Sequence, residues 1–243
     1  MEVGVTRVTP AQFRRHLELF KRMDLKPCSL GSYLNEPAED KVAITFDDAY
    51  ESVYHYAYPL LKEWGSGGFT VFPVAGYVGD WNRWEVNLGW RRFRHLSWQQ
   101  LRTMEGVEIG SHTLTHPCLI GLSPAKLHRE LRLSREIIED KLGVKVKYLS
   151  LPFSRYDERT LKSAEEAGYE AVCSLNPDDG EDGFVVGRYG VYILDSLRSI
   201  RNKLGIGAFT EFERFKLKVF NKLSAGTIMV KRWREHNIHH PCI

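Results

Sequence analysis

The chain has 243 residues, 43% of them hydrophobic and 27% charged, with a formal net charge of +3. That is the composition of a globular protein long enough for a sizeable core. So mild a charge gives no support to nucleic-acid binding, and no apolar run reaches the length that spans a bilayer.

Short β-like runs alternate with helical ones along the chain. The opening stretch MEVGVTRVTPAQFRRHLELF is polar and charged, unlike a signal peptide. VAITF (42–46) reads as the first strand, and ESVYHYAYPLLKEWG as a helix stopped by glycine. GFTVFPV (68–74) and GVEIGSH (106–112) read as strands. SPAKLHRELRLSREIIEDKLG opens with Ser123 and Pro124 and ends at Gly143. It sets Leu127, Leu131, Ile137, Ile138 and Leu142 on roughly one face. KVKYLSLPF (145–153), the helix DERTLKSAEEAG, and the strands YEAVCSL (169–175) and FVVGRYGVY (184–192) follow, with GTIMVKRW (226–233) as a last candidate strand. The alternation predicts an α/β protein with a parallel sheet, open or closed into a barrel, whose chemistry lies at the carboxyl ends of the strands. No repeat or long linker interrupts the chain, so one domain over 1–243 is expected. Cys28, Cys118, Cys173 and Cys242 form no C-x-x-C pair, which predicts free thiols and a cytoplasmic protein.

Three strand ends carry polar residues that packing does not require. The first gives Asp47 and Asp48, the second His112 and His116 within SHTLTH, and the third LPFSRYD, where Pro152 stiffens the strand exit. A catalytic zinc commonly takes three protein ligands and keeps a fourth position for water. Two imidazoles and one carboxylate would complete such a set and leave the other carboxylate free as a base. A cation would also relieve the repulsion between adjacent aspartates. Each piece has a plainer explanation. Either aspartate can cap the helix near Glu51, the histidines can be solvated loop residues, and LPFS can be a turn. Their shared placement on one rim of a parallel sheet favours a site.

ITFDDAY, EIGSHTLTHPCL and YLSLPFSRYDE, in this order and spacing, resemble the polysaccharide deacetylases of carbohydrate esterase family 4, the NodB-homology family. The resemblance runs from about Phe13 to Arg188. It implies a deformed (β/α) barrel, with a motif-bearing core over about 13–190 and a C-terminal extension over 191–243. It also implies a divalent metal, usually zinc, at the strand ends, and removal of an acyl group from an amide nitrogen, most often acetyl from an amino sugar. By position it makes Asp48, His112 and His116 the metal ligands, Asp47 the general base, and the Phe153 N–H the oxyanion donor.

The chain departs from the family pattern in two places. Many members hold the base with an arginine two residues before the motif-three proline, where this chain has Ser150. Arg155 and Arg188 are the candidates to supply that charge. Arg188 is preferred because FVVGRYGV resembles a late arginine-bearing strand in a branch of the family. The family's general-acid histidine ends a last strand, where this chain shows Lys231, with His236, His239 and His240 just beyond. One of these, or a proton recycled through Asp47, is left to protonate the leaving nitrogen.

On the substrate side, Trp81, Trp84 and Trp90 follow the second strand among glycines and arginines. They suit a sugar or a phosphorylated sugar carrier, and equally a loop folded back on the barrel. Arg155 and Tyr156 of the third motif are expected as further substrate contacts. FTEFERFKLKVFNKL places Phe209, Phe212, Val219, Phe220 and Leu223 near one helical face with lysines around it. That fits a helix packed on the barrel, or peripheral contact of 209–223 with an anionic inner membrane face. The expected substrate is a carbohydrate: a nucleotide-linked or lipid-linked amino sugar, or a polysaccharide. A deacylase of non-sugar amides and a catalytically silent glycan-binding barrel are the alternatives.

Overall fold

A computed structural model describes residues 8–65, 68–82, 93–180 and 183–205. Its strands are short and parallel. β1 (Lys26–Cys28) pairs with β2 (Lys41–Ala43), and Ile44 carries this edge onward, donating to the Cys28 carbonyl and accepting from Thr70 N–H. β3 (Thr45–Asp48), β4 (Phe69–Pro73) and β5 (Val107–Ile109) form one ladder, and β6 (Tyr148–Ser150), β7 (Ala171–Ser174) and β8 (Val185–Gly187) a second. A bridge between Ser111 and Leu149 joins the two, so the order round the barrel is β3 to β8. Among the described residues no ladder joins β8 to β3. Arg188 spans that seam with its side chain, Nη1 lying 2.8 Å from Thr45 Oγ1. This is the deformed (β/α) barrel.

The helices start where their sequences supply caps. α1 (Pro10–Arg22) has Thr9 and Gln12 in a reciprocal capping box with proline at its first turn, and buries His16, Leu17 and Phe20. α2 (Leu30–Asn35), α3 (Tyr58–Glu63) and α4 (Trp98–Thr103) follow, α2 capped by Ser29 and α4 by Ser97. α5 (Pro124–His128) and α6 (Ser134–Leu142) are halves of one helical stretch, joined by a π-helical segment over Arg129–Leu133 and ended by left-handed Gly143. α7 (Glu158–Glu166) is capped by Asp157, and α8 (Leu197–Lys203) by Ser196. The segment after β8 is tied to α1 through Gln12 Nε2, which donates to Ile193 O at 2.8 Å. A buried Lys203–Asp195 ion pair fixes it further.

The apolar runs in the sequence are longer than the strands they produce. The run 145–153 yields only β6, because Pro152 and the positive φ of Phe153 and Ser154 turn the chain into a 3-10 segment, Pro152–Ser154. The run 42–46 divides at Ile44 between β2 and β3, and β1 has no apolar run to announce it. The expected helix after Glu51 is π-helical over Val53–Ala57 before α3 begins. The candidate strand 226–233, the amphipathic stretch 209–223, Trp84 and Trp90 lie outside the described residues. Among the described residues, no helix is long and apolar enough to cross a membrane, and Cys28, Cys118 and Cys173 are free.

Two cores position the site. The larger packs α1, α3 and the helical stretch 124–142 against the outer faces of the strands, through residues such as Leu17, Leu61, Leu131 and Ile138. The smaller fills the barrel with Phe72, Tyr148, Ala171 and Cys173, and Leu30 of α2 packs against it. Gly110 is required by this filling: a Cβ there would meet the Phe72 ring at 2.3 Å.

Candidate active site

Strand geometry alone would send Asp47 and Asp48 to opposite faces of β3. Asp47 follows the rule. It pairs in register with Phe72, one row beyond Thr45 and Thr70, and so points into the barrel. There Arg188 grips it from the end of β8, with Nη1 and Nη2 each 3.0 Å from a carboxylate oxygen. The same guanidinium donates to Thr45 Oγ1 and to Ser150 Oγ, both at 2.8 Å, and lies 5.3 Å from the Phe72 ring centroid. The small Ser150 side chain thus receives a hydrogen bond from an arginine that comes from another strand. Arg155, the other candidate, is exposed and has no ion pair with a described residue.

Burial alone would raise the Asp47 pKa. The charge of Arg188 and the hydrogen bonds from Arg188 and Ser150 together outweigh it and hold the carboxyl below the ordinary aspartate range. The carboxylate is therefore ionised at neutral pH, and its side chain keeps 24% exposure.

Asp48 breaks the alternation. Its φ is 65° and that of Ala49 is 52°, a left-handed pair that turns the second carboxylate away from the outer core. Thr113 (φ 68°) and His116 (φ 57°) are left-handed as well, in the loop after β5. Non-glycine residues in this region cost roughly 1–3 kcal/mol each and persist only where surrounding contacts impose them. Here the two turns converge. Asp48 Oδ1 lies 3.7 Å from His112 Nε2 and 3.8 Å from His116 Nε2, and one ligand atom from each of the three residues falls within 4.8 Å of the others.

The donor set fits a divalent metal. His112 Nδ1 is 2.8 Å from the Ser150 carbonyl, which can only accept, so the proton is on Nδ1 and the Nε2 lone pair faces Asp48. Burial lowers the His112 pKa and favours this neutral form. Bonds of roughly 2.0–2.1 Å at a tetrahedral metal place ligand atoms somewhat over 3 Å apart, close to the separations found here. His116 is fixed by its backbone N–H donating to Thr113 Oγ1 at 3.0 Å, and by the Phe153 ring at 4.8 Å, edge-on.

The other residues singled out from sequence are placed less closely. Phe153 lies in the left-handed 3-10 turn after β6, and Ser154 Oγ pins that turn by accepting from Leu175 N at 2.6 Å. Trp81 is 47% exposed at a backbone bridge to Arg94, and Tyr156 is half-buried against the larger core. Sequence reasoning passes over Thr45, His95 and Glu130. Thr45 is signalled by its T-x-D spacing, which sets it on the face of Asp47. His95 and Glu130 carry no such signal.

The family model for polysaccharide deacetylases matches residues 35–172. The chain is 32% identical over 180 residues to YxkH of Bacillus subtilis (strain 168), whose name places it among polysaccharide deacetylases; the match covers 72% of this chain and 58% of that protein. It is 28% identical over 184 residues to the poly-β-1,6-N-acetyl-D-glucosamine N-deacetylase of Staphylococcus aureus (strain MSSA476), covering 69% of this chain and 61% of that one. The chain thus spans less than two thirds of these relatives' length. In fold it is similar to the Streptococcus pyogenes deacetylase PplD, solved with acetate, at a TM-score of 0.70, with 22% identity and coverage of 84% and 89% of the two chains. IcaB from Ammonifex degensii gives 0.70, 22%, 84% and 92%.

Proposed function

The chain belongs to the polysaccharide deacetylase family, and on that premise we propose that it is a metal-dependent hydrolase removing acetyl groups from the amide nitrogen of an N-acetylated amino-sugar glycan. The observation that carries this reading is the convergence of Asp48, His112 and His116 within 4.8 Å beside an ionised Asp47. The substrate class is supported by the name of the staphylococcal relative, a deacetylase of an N-acetylglucosamine polymer.

In this reading Asp48, His112 and His116 hold the ion, with zinc the metal their donor set suits best. A bound divalent ion supplies Lewis-acid polarisation of the acetyl carbonyl and activation of water. Asp47 accepts the proton of the attacking water, as a carboxylate kept ionised by Arg188 can do. Once protonated it gives up its proton more readily than an ordinary aspartic acid, so Asp47 is also assigned the return of that proton to the departing nitrogen. Lys231, His236, His239 and His240, the other candidates, lie outside the described residues. The Phe153 N–H is assigned to the developing oxyanion, and Trp81, Arg155 and Tyr156 to the sugar.

Acetate release from N-acetylglucosamine oligomers, before and after chelation, tests the reading. Loss on chelation with recovery on Zn²⁺ is the expected result. Release that ignores the chelator, or release only from simple non-sugar amides, would contradict it.

A further inference from the structure

Two of the three cradle ligands stand on left-handed backbone, and each of these turns is held by a side chain that contributes no atom to the cradle. We propose that Glu130 and His95 are positioning residues of the metal centre, Glu130 for His116 and His95 for Asp48. The inference rests on the metal-dependent reading above.

Glu130 lies in the π-helical segment Arg129–Leu133. Its Oε2 accepts from Leu114 N at 3.0 Å and Thr115 N at 2.8 Å, and its Oε1 from the Thr115 hydroxyl at 2.6 Å. One carboxylate therefore collects three hydrogen bonds from the two residues directly before His116. A carboxylate is the strong acceptor for such donors. The same helical stretch holds the other end of the loop, where Ser134 Oγ is 3.0 Å from Ser111 Oγ and donates to Leu131 O at 2.9 Å. Without Glu130 the two amides would turn to water. His116 could then relax to ordinary backbone, carrying its Nε2 away from Asp48.

His95 does the corresponding work for Asp48. Its Nδ1 lies 2.7 Å from the Asp48 carbonyl, so Nδ1–H is the donor. The ring is 1% exposed and stacks on Tyr50 at 5.0 Å. The backbone beside it follows the same turn, Leu96 N donating to Ala49 O at 2.7 Å and Glu51 N to Arg94 O at 2.9 Å. Those bonds hold the residues after Asp48, while the imidazole holds the carbonyl of Asp48 itself.

The test uses the full chain, stripped of metal, as wild type, Glu130→Ala, Glu130→Gln, His95→Leu and His95→Asn. Amide exchange of the metal-free proteins reads the turns, and titration with Zn²⁺ against a chelating dye reads the cradle. Glu130→Ala is expected to speed exchange at Leu114 and Thr115 and, by freeing the loop that carries His116, to weaken Zn²⁺ binding by about 10- to 100-fold, the scale on which outer support of a metal site acts. Glu130→Gln keeps an acceptor for the amides and His95→Asn a donor for the carbonyl, so both are expected within about threefold of wild type. His95→Leu is expected to match Glu130→Ala in Zn²⁺ loss. Should Glu130→Ala fail to fold, Thr115→Val removes the hydroxyl contact alone and is expected to weaken Zn²⁺ by about threefold. Unchanged exchange and affinity in the Ala, Leu and Val variants would overturn the proposal. So would equal losses in the Gln and Asn variants. A wild type that takes no Zn²⁺, while Glu130→Ala still frees the Leu114 and Thr115 amides, would sink the metal reading and leave the hold of Glu130 on the loop supported.

Discussion

Among the described residues, two carboxylates of the barrel interior, Glu108 on β5 and Asp47 on β3, lie one cross-strand row apart: Thr70 faces Thr45 and Glu108, and Phe72 faces Asp47. Glu108 meets neutral donors. Its Oε2 accepts from Gly31 N at 3.0 Å and Thr70 Oγ1 at 2.6 Å, where the start of α2 closes the lower end of the barrel. Burial, with Glu108 adding to it, pushes the neighbouring Tyr148 hydroxyl up to about 12, so it stays a neutral phenol. Asp47 instead meets a buried cation, and keeps an exposed edge beside the histidine cradle. The lower carboxylate ties a helix to the sheet, whereas the upper one is a charge held ready at the strand ends. This is the division between stabilising and reactive faces that parallel barrels show.

Substitutions should separate the two ends. The largest effect is expected from Asp47→Asn, which removes the proposed base while keeping its shape: turnover should fall by about 10²- to 10⁴-fold with Zn²⁺ retained. Steady-state kinetics with metal analysis would check it, and a mild rate loss would end the role given to Asp47. Arg188→Met leaves a half-buried carboxylate unpaired and unlatches the seam between β8 and β3, so a loss of about 3 kcal/mol in denaturant unfolding is expected, along with loss of rate. Glu108→Ala strands the Gly31 and Thr70 donors and should cost about 1–3 kcal/mol while leaving Zn²⁺ affinity alone. A drop in affinity there would erase the contrast between the ends. The smallest effect is in acid. Because the Asp47 pKa is lowered in the folded protein, its contribution to stability is complete above the unfolded aspartate value of about 3.9 and is lost as pH falls through the lower folded value. The metal-free wild type should therefore lose stability more steeply below about pH 4 than metal-free Asp47→Asn.

Much of this was legible in the sequence. Alternating runs and glycine stops announced the parallel strands and their helices, and two of the three polar strand ends announced the cradle. What stayed hidden depends on closure in three dimensions. Arg188 and Asp47 are 141 residues apart, and Arg188 is preferred as the partner of the base only through the family resemblance of FVVGRYGV, since spacing and pattern alone do not bring the two together. Asp48 was legible as a candidate ligand, but its left-handed backbone was not, since the hydrogen-bond partners of that turn come from the distant segment at His95. Glu130 reads as a solvated helix position, because its partners are backbone amides, which have no signature in a sequence. β1 was missed for a related reason: KPC has too little apolar content to stand out, and its pairing comes from β2.

The division of labour between the adjacent aspartates is tested most directly by zinc per chain, measured by elemental analysis on Asp47→Asn and Asp48→Asn after identical loading and desalting. Asp47→Asn is expected to keep the wild-type content and Asp48→Asn to lose most of it. Equal content in the two variants, whether retained or lost, would contradict that division.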